Sequence, residues 1–324
     1  MTGLTYFDAD LVTARTPWPA LIDAIRDAFR HGGVSPIRHS HSIPCNDRDD
    51  DITLLLMPAW TGAGNFGVKL TTISPANAAF GQPTINGLYV LFSSKTGIPI
   101  ALFDAGVLTA RRTAAASAFA SRCLSRTDSA TLLMIGTGRL ARQLIAAHCS
   151  VRPIEEVRIW GRTEEKARDL AKNVSQDIGV DCRVVPDIES SAPDADIIST
   201  ATRSDTPLLC GCWVSPGTHI DLVGAYTPDM READTALVNK ADRIFVDTMD
   251  GATSEAGELI QAAFDSDFTF EDITGDMYML SSQEGDFRSH REEITVYKSV
   301  GTALQGLAAA QLCVRHTGTG NAPC

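Results

Sequence analysis

Residues Ala130–Val151 read ATLLMIGTGRLARQLIAAHCSV. The first part, ATLLMI, is a continuous apolar run ending in glycine, as expected of a parallel strand buried on both faces. The second part, RLARQLIAAHCSV, is apolar at helical spacing. Between them, Gly136-Thr137-Gly138-Arg139-Leu140-Ala141 fits GxGxxG/A in the strand–turn–helix setting that gives this pattern its meaning. Gly136 permits the tight turn, Gly138 lets the backbone approach a pyrophosphate, and Ala141 keeps the helix close to the sheet. The helix N-terminus then faces the anion. Gly136 to Ala141 are therefore candidate dinucleotide-binding residues.

Downstream the alternation continues. EEVRIWGR, CRVVP, ADIISTAT, THIDLVGAY and DRIFVDTM read as strands, while TEEKARDLAKNV and DMREADTALVNKA read as helices. Strands alternating with helices imply a parallel, doubly wound sheet. The last such segment, ITVYKSVGTALQGLAAAQLCV, reads as one long helix, and the tail HTGTGNAPC as a frayed end. Upstream the pattern differs. PWPALIDAIRDAFRHGG is a helix stopped by glycines. ITLLLMPAW, NFGVKLTTI, TINGLYVLFSS and IPIALFDAG suggest an antiparallel meander, and LTARRTAAASAFASRCL an alanine-rich helix.

A chain of 324 residues is longer than one core usually supports, so two domains are expected. The net charge of −12 argues against a nucleic-acid partner. No apolar stretch is long enough to predict a membrane span. The start, MTGLTYFDADLVTARTPWP, is acidic and broken by proline, unlike a signal peptide, and the cytoplasm is the expected location. Eight scattered cysteines read as reduced thiols, Cys210 and Cys212 included. His39 and His41 form an HxH with no third ligand nearby, so no metal is expected.

Which dinucleotide is bound turns on the tip of the second strand, where an NAD-binding domain usually places an acid for the ribose 2′-hydroxyl. Here the tip is Gly161-Arg162-Thr163, a cation and a hydroxyl suited to a 2′-phosphate, and Glu164 and Glu165 follow in the next helix. NADPH is favoured, with NADH left open. In the first part of the chain, Arg38, Lys69 and Arg112 sit near strand or helix ends. Lys69 interrupts an apolar strand, and a buried lysine needs a partner. Arg112 could receive a carboxylate at a helix start, although Arg111 is equally placed for that role. Singly, each cation reads as well as a surface charge.

Together GVKLTTISPANAAFGQPTINGLYVLF, LTARRTAAASAFA, IGTGRLA, VGAYTPDMRE and YKSVGTALQGLAAA resemble, in order and over nearly the whole chain, the ornithine cyclodeaminase/mu-crystallin family. The resemblance implies a Rossmann domain (116–297) plus a smaller α+β substrate-binding and dimerisation domain (1–115 with 298–324), and a homodimer. It implies that Lys69, Arg112 and Arg38 hold a substrate carboxylate with Thr84 close by, and that Ser299 and Gly301 lie near the nicotinamide. Thr200, Ala201, Thr202 and Gly224 are assigned to the cofactor with them. Cyclodeaminases and alanine dehydrogenases of the family carry an aspartate where this chain has Tyr226, at what reads as a strand tip. A phenol, with a pKa near 10, is a poor general base at neutral pH. The TPDMRE continuation is more like the imine-reducing branches. The expected activity is reduction of a cyclic imino acid, Δ1-pyrroline-2-carboxylate to L-proline and also Δ1-piperideine-2-carboxylate to L-pipecolate. The alternatives are an NAD-dependent cyclodeaminase or amino-acid dehydrogenase, and an NADPH-holding binding protein.

Overall fold

The computed structural model describes residues 4–45, 50–62, 64–282 and 287–315; the tail read as frayed lies outside them. The chain opens with β1 (Thr5–Phe7), α1 (Ala9–Arg15) and α2 (Trp18–Arg30). Strands β2 (His39–Ile43), β3 (Ile52–Trp60), β4 (Phe66–Ile73), β5 (Ile85–Phe92) and β6 (Pro99–Asp104) lead into α3 (Ala105–Leu124). Next come β7 (Thr131–Ile135), α4 (Arg139–Cys149), β8 (Glu156–Trp160), α5 (Glu164–Ile178), β9 (Asp181–Val184) and β10 (Ile197–Thr200). They are followed by β11 (His219–Leu222), α6 (Thr235–Lys240), β12 (Arg243–Val246), α7 (Met249–Glu255) and α8 (Gly257–Asp265). The chain closes with β13 (Gly275–Asp276), α9 (Met277–Ser282), β14 (Thr295–Lys298) and α10 (Ala303–Arg315). Two compact units result: Met1–Thr113 with Thr302–Cys324, and Ala114–Gly301.

In the smaller unit the sheet order is β1-β6-β5-β4-β3-β2, antiparallel except for β1 beside β6. Strand alternation sorts its side chains by face. Leu55, Met57, Ala59, Tyr89, Leu91, Ala101 and Phe103 are buried. α10 packs on β3, β4 and β5, and α2 packs on α10. α2 buries Leu21, Ile22, Ile25 and Phe29, a helical stripe, and ends before Gly32, whose φ of 75° only glycine adopts easily. The opposite sheet face stays exposed although it is apolar: Tyr6, Trp60, Phe66, Leu88 and Ile100 all lie open, and Phe66 stacks on Phe92 at 5.0 Å.

The larger unit holds an eight-stranded, all-parallel sheet in the order β13-β12-β14-β11-β10-β7-β8-β9. Its strands are buried runs such as Leu132–Ile135 and Ile197–Thr200, and the winding reverses on either side of β7, as in a Rossmann fold.

Three sequence expectations are corrected. Ile294–Val314 is not one helix: Thr295–Lys298 is a buried strand between β11 and β12, and the helix starts at Ala303 after Gly301 turns with φ 85°. A short apolar run rich in β-branched and aromatic residues suits a buried strand, and periodicity alone does not separate the two. The segment DMREADTALVNKA is helical only from Thr235, where the Asp234 carboxylate caps the Leu237 amide at 2.9 Å. The strand in THIDLVGAY stops at Leu222, four residues short of Tyr226. Among the described residues no helix is long and apolar enough to cross a membrane, and no His/Cys/Asp/Glu cluster is arranged to hold a metal.

Candidate active site

Lys69 lies in the middle of β4, directly opposite Met57 of β3 and Tyr89 of β5. With Arg112 of α3 and Ala303 and Gly306 of α10 it lines a small pocket of about 10 Å³, room for roughly one water. Arg112 is buried, and its guanidinium donates to Gln305 Oε1 of α10. Burial, the Arg112 charge and the Arg38 charge hold the Lys69 ammonium well below its usual pKa. Arg38 reaches this group from just before β2. Tyr89 is buried too, its hydroxyl without a hydrogen-bond partner among the described residues, and burial pushes its pKa up. Thr84 precedes β5, half-buried, and is not among the residues lining this pocket.

The two adjacent arginines have different surroundings. Arg111 donates to Thr16 Oγ1 at 2.6 Å and to the Thr16 carbonyl, and its guanidinium lies 4.1 Å from the Trp18 ring. Burial lowers its pKa to about 10, with Cys313 opposing. It ties the α1–α2 corner to α3, and Arg112 is the one that faces Lys69.

In the larger unit, the Gly136 amide donates to the Trp160 carbonyl at 2.9 Å and its φ is 123°. A Cβ there would stand 2.7 Å from the Ala201 carbonyl oxygen, so the turn needs glycine twice over. Gly138 has extended backbone, is exposed, and has nothing within 4 Å of where a Cβ would go. It begins α4, and no side chain caps that helix. Arg139 and Leu140 follow in the uncapped first turn, while Ala141 is fully buried. Open space over uncapped amides is what a pyrophosphate needs, so these residues fit a dinucleotide. Gly161 packs against Thr137, and a Cβ there would meet Thr137 Cγ2 at 2.5 Å. Arg162 and Thr163 lie exposed just past β8; Glu164 is turned to Arg168 at 2.5 Å.

The loops that carry the remaining candidates are tied down by buried acids. Glu232, fully buried, accepts from the Thr202 amide (2.5 Å) and Oγ1 (2.7 Å) on one oxygen. Its other oxygen accepts from the Gly224 (2.6 Å) and Ala225 (3.3 Å) amides. These bonds draw the chain out of β11 after Leu222, which is why Tyr226 sits in a loop. Burial raises the Glu232 pKa, while the Lys298 ammonium opposes the rise. The Glu232 amide donates to Glu258 Oε1 at 2.9 Å; Glu258 Oε2 pairs with Lys298 Nζ at 2.7 Å; and Lys298 donates to the Ala225 carbonyl at 2.6 Å. Asp247 accepts from Ser299 Oγ (3.0 Å) and from the amides of Val300 (3.0 Å) and Gly301 (2.5 Å). Thr200 is buried at the end of β10, and Tyr226 is half-buried against the hydrophobic core of this unit.

Glu232, Glu258, Lys298, Asp247 and Tyr89 were missed by sequence reasoning. Lys298 offered the same sign as Lys69, a lysine inside an apolar run, but was absorbed into a helix reading. Glu232 was read as a helix-starting acid.

The fold thus comprises a Rossmann unit with an open Gly-rich turn and a smaller α+β unit in which Lys69 and Arg112 line a pocket with α10. The chain belongs to the ornithine cyclodeaminase/mu-crystallin family, whose model matches residues 9–319. It is 35% identical to a Delta(1)-pyrroline-2-carboxylate reductase of Paracoccus denitrificans over 96% of each chain. Its fold superposes with a TM-score of 0.88 on the Delta(1)-pyrroline-2-carboxylate reductase of Thermococcus litoralis in complex with NADH and L-proline, at 27% identity, over 96% of this chain and 97% of that one. An archaeal alanine dehydrogenase dimer with bound NAD matches with a TM-score of 0.86 at 28% identity, over 96% and 95% of the two chains.

Proposed function

We propose that this protein reduces a cyclic imine carboxylate, Δ1-pyrroline-2-carboxylate to L-proline, with the six-membered Δ1-piperideine-2-carboxylate, giving L-pipecolate, as a second substrate. One observation carries the reading: Lys69 is buried in the pocket that Arg112 also lines, and the Arg112 and Arg38 charges both act on it. Cations that raise one another's energy in a buried pocket favour an anionic ligand. Arg112, oriented by Gln305, presents a planar fork to one carboxylate edge, and Lys69 presents a point charge to the other. Arg38 adds longer-range attraction, and Thr84 is given to the substrate by the family resemblance alone.

A nicotinamide dinucleotide, held by Gly136–Ala141, Thr200–Thr202, Gly224, Ser299 and Gly301, supplies the hydride when bound. Arg162 and Thr163, which occupy the strand tip ahead of Glu164 and Glu165, support NADPH over NADH. The relatives named for NADH and NAD keep NADH as the competing cofactor. Orientation of the imine carbon by the fixed carboxylate is most of what the protein contributes, because an iminium needs no base to activate it. Tyr226 in place of the family's aspartate weighs against cyclodeamination and amino-acid dehydrogenation.

The test is to follow nicotinamide absorbance with each imine and each reduced cofactor, with ammonia release from ornithine plus NAD as the counter-assay. Oxidation of NADPH with the five-membered imine is the expected result. No oxidation with either imine, together with ammonia release, would sink this reading.

A further inference from the structure

Tyr89 lies opposite Lys69 and lines the same pocket of the smaller unit, yet the proposed reaction gives it no part. Its ring is fixed by three elements. Gly67 stands two residues before Lys69 on the same face of β4, and a Cβ there would fall 2.6 Å from Tyr89 Cε1. A Cβ at Gly306 of α10 would stand 3.2 Å from Tyr89 Cε2. Phe103 of β6 meets the ring edge-on, with centroids 6.1 Å apart and planes inclined at 73°. A side chain at Gly67 would displace the ring and one at Gly306 would press on it, so two glycines form the slot that it fills.

A ring held in this way fixes its hydroxyl. That oxygen is buried and has no hydrogen-bond partner among the described residues. An unpaired buried hydroxyl is costly, whereas phenylalanine would fill the same slot without that cost. Packing alone therefore does not account for the oxygen, and a ligand does. The pocket that Tyr89 shares with Lys69 and Arg112 measures about 10 Å³, enough for one oxygen-sized group. Burial pushes the Tyr89 pKa up, so the phenol keeps its proton through the neutral range and can donate to an anion. The same shift makes it a poor acid, which separates it from the proton donor of the reaction.

We propose that Tyr89 is a further substrate-binding residue, its hydroxyl donating to the carboxylate oxygen that enters the pocket beside Lys69 and Arg112. The inference rests on the reading of this pocket as the carboxylate site. A hydroxyl bonded to a carboxylate oxygen is a short, charge-assisted contact, and the rigid ring sets the point at which that oxygen must sit. The two cations supply attraction, and the phenol supplies register.

Tyr89→Phe keeps the ring and removes only the oxygen, so its melting temperature should equal or exceed that of the wild type. Two measurements on the full-length protein with NADPH present read the role. One is titration calorimetry with pyrrole-2-carboxylate, a planar carboxylate that resists reduction; the other is steady-state kinetics with Δ1-pyrroline-2-carboxylate. Tyr89→Phe is expected to weaken pyrrole-2-carboxylate about tenfold and to raise KM by a similar factor with kcat little changed. A bond to the carboxylate serves ground state and transition state alike. Unchanged affinity and KM overturn the inference and leave the carboxylate site to Lys69 and Arg112. A fall in kcat at constant KM overturns it too, because the hydroxyl would then act on the chemistry. If the wild type reduces no imine yet binds pyrrole-2-carboxylate tenfold more tightly than Tyr89→Phe does, the proposed reaction falls and the donor role stands. A wild type that neither binds the probe nor reduces the imine removes both.

Discussion

A buried lysine acted on by two guanidinium charges carries unfavourable energy, which the proposed substrate carboxylate would relieve. Burial and the neighbouring charges depress the Lys69 pKa in the folded chain, whereas the unfolded chain keeps the ordinary value of 10.5. The unfolded state therefore binds the Lys69 proton more tightly, and its contribution to stability rises with pH between the depressed value and 10.5. Below that window the full penalty is present. Lys69→Met removes it, so the melting temperature at neutral pH should rise, by about 2–4 °C per kcal/mol relieved, as differential scanning calorimetry would register. The same variant should lose about 2–5 kcal/mol of carboxylate binding, seen as a collapse of kcat/KM. Substrate binding needs the charged form, so wild-type KM should climb as pH rises through the depressed pKa. Lys69→Arg should flatten that climb; a profile unchanged in Lys69→Arg would move the titrating group elsewhere. At this scale much of the site was legible, since a charge that interrupts an apolar strand is conspicuous. Its partners were not. Tyr89 meets Lys69 through the β4–β5 register, and Gln305 meets Arg112 through the docking of α10, neither of which is local in sequence.

Among the elements, the Gly-rich turn and the two loops beyond β10 and β11 form one device with two kinds of part. Gly138 is open to its surroundings; Gly224 is pressed against Thr202 and Glu232. Gly138→Ala should therefore fold normally, since its backbone is extended, yet intrude where a phosphate would approach, so fluorescence titration should show weakened dinucleotide binding at an unaltered melting temperature. Glu232→Gln should weaken dinucleotide binding as well, but with a lower melting temperature. Its amide nitrogen would face backbone N–H donors that the carboxylate now accepts, at a cost of about 1–3 kcal/mol for each buried group left unpaired. Strand–helix alternation made most of the doubly wound sheet readable, because buried parallel strands are written as unbroken apolar runs. The misreadings fall where tertiary bonds override local pattern. Glu232 ends β11 early and suppresses the helix start at Asp229, and β14 is a strand only because β11 and β12 flank it.

For the molecule as a whole, the exposed apolar face of the smaller sheet is the feature that calls for a partner. Tyr6, Phe66, Leu88 and Ile100 lie exposed on one face of it. A second copy of the chain is the occupant we propose, the homodimer that the sequence resemblance implies. Light scattering should give a dimer mass for the wild type and a monomer for Leu88→Arg; a wild-type monomer would refute the assignment. Order of synthesis brings out a different consequence of where β14 lies. Ribosomes release β11 and β12 before Thr295–Lys298, yet those two strands have no hydrogen-bonded edge in common until it arrives. The nascent sheet must wait with a strand-wide gap between them, two bare edges exposed, until residues 295–298 have emerged. A chain stalled or clipped before Thr295 would therefore lose the centre of one sheet half rather than an appendage.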